Sequence, residues 1–207
     1  QEFEHKFCDL LKTYQPPAAV SQELFKTEMK NLHMYGYGLK SMMLSMIETA
    51  CRITGGKENL HCAEEIIRLG QELLQKPVTL LDGVEDVLLQ LQGKYKLVLA
   101  TKGDLFDQKR KVMDSGLVRY FCHIEIMSDK KEADYQKLLN TMGCAPQNFL
   151  MLGNSIKSDI LPILNLGGYV AHIPYHITWQ YENHEGNVTH PNFLQLKNIK
   201  DIIGYLL

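Results

Sequence analysis

The sequence predicts an α/β protein in which a small helical bundle precedes a core built on a parallel sheet. Two observations carry this. Over residues 1–76 apolar side chains recur only at helical spacing, whereas beyond about Pro77 short apolar runs alternate with amphipathic helical stretches. A chain of 207 residues, 45% hydrophobic and 22% charged, can bury such a core together with a smaller second domain.

The helical half comes first. Phe3, Phe7, Leu10, Leu11 and Tyr14 share one helix face. Leu24, Phe25, Met29 and Leu32 mark a second helix after Ser21, and Leu39, Met42, Met43, Met46, Ile47, Ala50 and Cys51 a third, stopped by Gly55-Gly56. A fourth carries Ile66, Ile67, Leu69, Leu73 and Leu74, with Pro77 just beyond it. The Met42, Met43, Met46 stripe reads as adaptable packing, and Met34, Tyr35 and Tyr37 as surface aromatics and Met in a glycine-flanked loop. Brief loops joining four amphipathic helices describe a bundle.

From residue 77 the period changes. Leu97–Ala100, Ile124–Met127, Phe149–Leu152 and Tyr169–Ile173 read as strands, and 84–92, 105–115, 133–142 and 157–166 as helices between and around them. Such alternation implies right-handed βαβ units and a sheet covered on both faces. The segment 174–195, rich in His, Asn and Pro, reads as a long surface loop.

The net charge of −2 gives no general reason to bind nucleic acid or an anionic membrane. No apolar run reaches transmembrane length, and the opening residues do not form a signal peptide, so a cytoplasmic setting is expected. The five cysteines are scattered without C-x-x-C spacing, which fits a reducing compartment and argues against structural zinc or a disulfide framework. Asn187-Val188-Thr189 matches a glycosylation sequon by chance in that setting. His172, His176, His184 and His190 fit no compact zinc spacing.

Ligands of open parallel sheets bind beyond the carboxyl ends of the strands. Polar clusters fall there: Thr101-Lys102-Gly103, Ser128-Asp129-Lys130-Lys131 and Gly153-Asn154-Ser155. Hydroxyl, amide and ammonium groups at three strand ends point to one anion site. Phosphoryl transfer needs such neutralisation and positioning. Thr101 supplies a hydroxyl, Lys102 and Gly103 loop amides, Lys130 or Lys131 an ammonium, and Asp159 a hard oxygen for a metal.

The order and spacing of these elements resemble the haloacid dehalogenase superfamily. Its second motif is matched by Leu97-Val98-Leu99-Ala100-Thr101-Lys102-Gly103, its third by Ser128-Asp129-Lys130-Lys131-Glu132-Ala133-Asp134-Tyr135, and its fourth by Leu150-Met151-Leu152-Gly153-Asn154-Ser155-Ile156-Lys157-Ser158-Asp159. The resemblance covers residues 78–173 and extends to the N-terminal helices. It implies a Rossmann-like hydrolase core over 77–207 and a helical cap over 1–76, closing over a small phosphorylated substrate. It also implies catalytic Thr101 and Lys130, with Lys130 preferred to Lys131. Substrate binding falls to Thr101, Lys102, Gly103 and Lys130, and Mg²⁺ to Asp159 and Asn154.

Two departures stand out. The family's opening strand ends in Asp-x-Asp, the nucleophile and the general acid/base, and no such motif occurs in residues 1–207. That strand is expected upstream of Gln1, within roughly 15–25 residues. Without it the chain is expected to be inactive. The fourth motif also opens with Asn154 rather than an acid, which lowers the charge offered to a metal. The leading expectation is a Mg²⁺-dependent phosphohydrolase of small phosphomonoesters. The alternatives are a non-catalytic phosphate-ligand binder or interaction module on the same fold, and a dehalogenase or phosphomutase.

Overall fold

The computed structural model describes residues 2–207 except 177, 178 and 183–185. The chain divides into two compact units, Gln1–Val78 with Gly103–Asp114, and Thr79–Lys102 with Ser115–Leu207. Among the described residues no helix is long and apolar enough to cross a membrane.

The first unit contains α1 (Glu2–Leu10), α2 (Pro17–Tyr35), α3 (Leu39–Thr54) and α4 (Asn59–Gln75). Helix α2 begins earlier than its apolar pattern suggests, because Pro17 at the first turn loses no hydrogen bond there and its fixed φ suits a helix. Gly55, at φ 61°, ends α3 in the left-handed conformation. Phe7, Leu11, Val20, Leu24, Met46 and Ile66 are each 1% exposed or less and form the interior. Met42 and Met43 pack against this core, while Met34 and Tyr35 are exposed.

The second unit carries the strands and most of the helices between them. In chain order, α5 (Val84–Leu91) leads to β1 (Val98–Lys102). Helix α6 (Leu105–Asp114), grouped with the first unit, precedes β2 (His123–Met127). Helix α7 (Glu132–Met142), β3 (Leu150–Gly153), α8 (Leu161–Asn165), β4 (Tyr169–His172), β5 (Phe193–Gln195) and α9 (Ile203–Leu206) follow. Among the described residues all strand pairings are parallel, but they form two sheets, β1-β2 and β3-β4-β5.

Strand tips are level within each sheet: Lys102 lies opposite Met127, and Gly153 opposite His172. Apolar residues cover both faces. Met151 and Val170 pack with Met127, Leu138, Ile160 and Ile163, while Leu150, Leu152 and Ala171 pack with Val87, Leu91, Leu196 and Ile202. The apolar strand β1 is only half-buried along its whole length. The segment read as a long loop contains a short 3₁₀ turn, Gln180–Glu182, and ends in β5.

Candidate active site

The fourth-motif segment turns out of β3 through an unusual geometry. Residues expected to open a regular helix instead form a five-residue π turn, Ile156–Ile160, before α8 starts. The Ser155 carbonyl accepts from both the Asp159 and Ile160 N–H groups, at 2.8 and 3.2 Å. Ser155 Oγ caps the turn by accepting from Ser158 N at 3.0 Å. Pro162 has no N–H for the Ser158 carbonyl four residues back, and the buried Tyr135 hydroxyl donates to that oxygen at 3.0 Å. Single wide turns of this kind recur at functional sites.

The turn folds Asp159 back over β3. Its Oδ2 accepts from Ser155 N at 3.1 Å, and a Cβ built on Gly153 would collide with its carboxylate. Asp159 is 5% exposed, and a carboxylate so buried needs a counter-charge. Lys130 supplies it: Nζ lies 2.7 Å from Asp159 Oδ1, and the lysine side chain is 11% exposed. Lys131, 70% exposed, turns away to Asp129 Oδ2 at 2.9 Å. The difference originates at the start of α7, where Lys131 is the N-cap residue and its N–H donates to Asp134 Oδ2 at 3.3 Å.

A second charge pair adjoins the first. Lys102 Nζ donates to Glu182 Oε1 at 2.5 Å and to Ser158 Oγ at 2.8 Å, and lies 4.0 Å from Asp129 Oδ1. Glu182 also accepts from Ser158 Oγ at 2.6 Å and from Ser155 Oγ. Burial raises the Glu182 pKa, but hydrogen bonds from Lys102, Ser155 and Ser158 outweigh it and hold the carboxyl below its ordinary value. Nothing in the polar run around Glu182 marks it in the sequence, and the expectation of a surface loop there passes over it.

The geometry therefore links Lys102, Lys130 and Asp159 through the Ser155 and Ser158 groups. Thr101 sits beside Lys102 at the end of β1, in register with Ile126. Gly103 follows at φ 140°, a left-handed backbone that favours glycine. Asn154 begins the turn and is exposed, its carbonyl 3.1 Å from His172 Nε2. Among the described residues no three His, Cys, Asp or Glu side chains group to hold a metal, and His184 lies outside them. Asp159 offers one hard-oxygen donor. That fits part of a Mg²⁺ coordination set rather than all of it.

Comparison with known proteins decides the family. Residues 27–167 match the haloacid dehalogenase-like hydrolase family. The chain belongs to that family. It is similar to a haloacid dehalogenase-like hydrolase from Xanthomonas campestris, with 32% identity, a TM-score of 0.87, and coverage of 99% of this chain and 83% of that one. It is also similar to the N-acylneuraminate-9-phosphatases of Mus musculus and Homo sapiens, at 28% and 27% identity over 141 residues. That alignment covers 65% of this chain, and the chain spans 57% of the length of those relatives. YfnB of Bacillus subtilis, whose structure is bound to magnesium, shares the fold with a TM-score of 0.62 at 16% identity, over 100% of this chain and 92% of that one.

Proposed function

We propose that the intact protein is a Mg²⁺-dependent phosphatase of small phosphomonoesters that works through an aspartyl-phosphate. The observation carrying this is the buried Lys130–Asp159 pair at the tip of β3, joined through Ser155 and Ser158 to the tip of β1. Membership of a hydrolase family and similarity to curated phosphatases support the reaction class.

In this reading the Thr101 hydroxyl and the N–H groups of Lys102 and Gly103 hold the phosphoryl oxygens. The Lys130 ammonium neutralises charge that builds on them, and Asp159 fixes that ammonium in place. Asp159, helped by Asn154, would hold Mg²⁺. When bound, the ion supplies further neutralisation of the phosphoryl group. The nucleophilic aspartate would arrive on a strand seated between β1 and β3, where each of the two sheets ends. Its carboxylate oxygen bonds to phosphorus as the ester oxygen leaves, and a neighbouring carboxylic acid gives that oxygen its proton. The carboxylate left by that transfer then takes a proton from water, whose oxygen bonds to phosphorus as the aspartyl oxygen leaves, which releases inorganic phosphate and restores the aspartate.

The test is turnover of a small phosphomonoester by protein carrying that strand, with and without a chelator of Mg²⁺. Lys130→Ala is expected to lower kcat/KM by about 100-fold or more, and Lys131→Ala by no more than a few-fold. Chelation should abolish turnover, and residues 1–207 alone should show none. Near-normal turnover in Lys130→Ala would transfer the role to Lys131 or remove it.

A further inference from the structure

Glu182 belongs to none of the three motifs, yet its carboxylate sits among donors suited to an anion. An ammonium and two hydroxyls converge on it: Lys102 Nζ at 2.5 Å, Ser158 Oγ at 2.6 Å, and Ser155 Oγ. That set, a cation with two hydroxyls, is what a phosphate oxygen would seek. The side chain is 10% exposed, against 14% for Lys102, so the pair lies well inside the surface. The turn that carries it is fixed by Lys157, whose Nζ donates to the Tyr181 carbonyl at 3.2 Å and lies 3.3 Å from the centre of the Tyr181 ring.

The charges balance. Lys102 is matched by Glu182 and Lys130 by Asp159, so these four side chains present phosphate with no net positive charge. We propose that Glu182 is the affinity-setting residue of this site: it holds Lys102 and the Ser155 and Ser158 hydroxyls in one arrangement, withholds them from phosphate, and so keeps the retention of inorganic phosphate weak. The inference rests on the phosphatase reading and deepens it. A product held loosely leaves quickly, whereas a free ammonium beside the strand tips would trap it.

The experiment is calorimetric titration of the intact protein with inorganic phosphate, alongside phosphomonoester turnover. Glu182→Gln keeps the shape and removes the charge. It should bind phosphate about tenfold more tightly than wild type, with a lower kcat. Glu182→Asp keeps the charge and should stay within about threefold of wild-type affinity. A purely structural role would weaken phosphate binding in both variants. Should Glu182→Gln fail to fold because Lys102 loses its nearest counter-charge, Lys102→Met is compared with Lys102→Met/Glu182→Gln. The double variant, which strands no charge, should then bind phosphate about tenfold more tightly than the single one. Unchanged or weaker binding on removal of the Glu182 charge, or no phosphate binding by any variant, overturns the inference. Tightening without any phosphomonoester turnover by wild type removes the phosphatase reading and leaves the inference standing. Turnover without tightening does the reverse.

Discussion

Lys130 and Lys131 are neighbours in sequence and opposites in setting, one sealed against Asp159 and the other exposed on Asp129. Sequence alone ranks them only through family position, because a shift of one residue at a helix start exchanges their directions. Gly153 is a second case where one atom decides. Any side chain there would meet the Asp159 carboxylate, so Gly153→Ala must displace either the strand or the aspartate. It is expected to cost about 1–3 kcal/mol of stability by overpacking, read from denaturant unfolding, and to lower turnover at least tenfold by moving Asp159. Asp129 supplies a pH test. Burial raises its pKa, but hydrogen bonds from Lys131 and the Lys130 N–H, with the Lys102 charge, outweigh this and leave it below its ordinary value. A carboxyl with a depressed folded-state value contributes stability that is complete above the unfolded value of about 3.9 and is lost as pH falls through the folded one. Between about pH 6 and pH 3, wild type should therefore lose more of its melting temperature than Asp129→Asn does.

Among the elements, the turn from β3 into α8 is where the expected helix over 157–166 and the structure diverge. Pro162 and the doubly used Ser155 carbonyl replace the regular ladder with a wide turn. Tyr135, fully buried on α7, completes it with a hydrogen bond to the Ser158 carbonyl. Burial first, and the nearby Asp159 charge second, push its phenol far above the ordinary value, so it remains a donor. Tyr135→Phe is expected to lower stability by about 1 kcal/mol, seen as a fall in Tm, because the buried carbonyl loses its partner. The long helices and the strands β1 to β4 are legible in the sequence because each is periodic or continuously apolar over enough residues to declare its type. Strand β5 has only three residues, too few to show any alternation. The polar strand ends are equally legible. Glu182 is not, since its role depends on how a loop of irregular backbone returns to the strand tips, which no local pattern encodes.

For the whole molecule, the α/β class and its parallel pairing agree with the alternating pattern, and the family match extends over both halves of the chain. The division into two sheets has a consequence for residues 1–207 in solution. Strands β1 and β3 each have a described neighbour on one side only, and both are apolar runs. A strand flank of that kind is a template for a second polypeptide, and no proline guards either one. The chain should consequently form soluble oligomers at tens of micromolar or above, with light scattering that rises with concentration. Scattering that stays flat with concentration would mean that these flanks are already shielded.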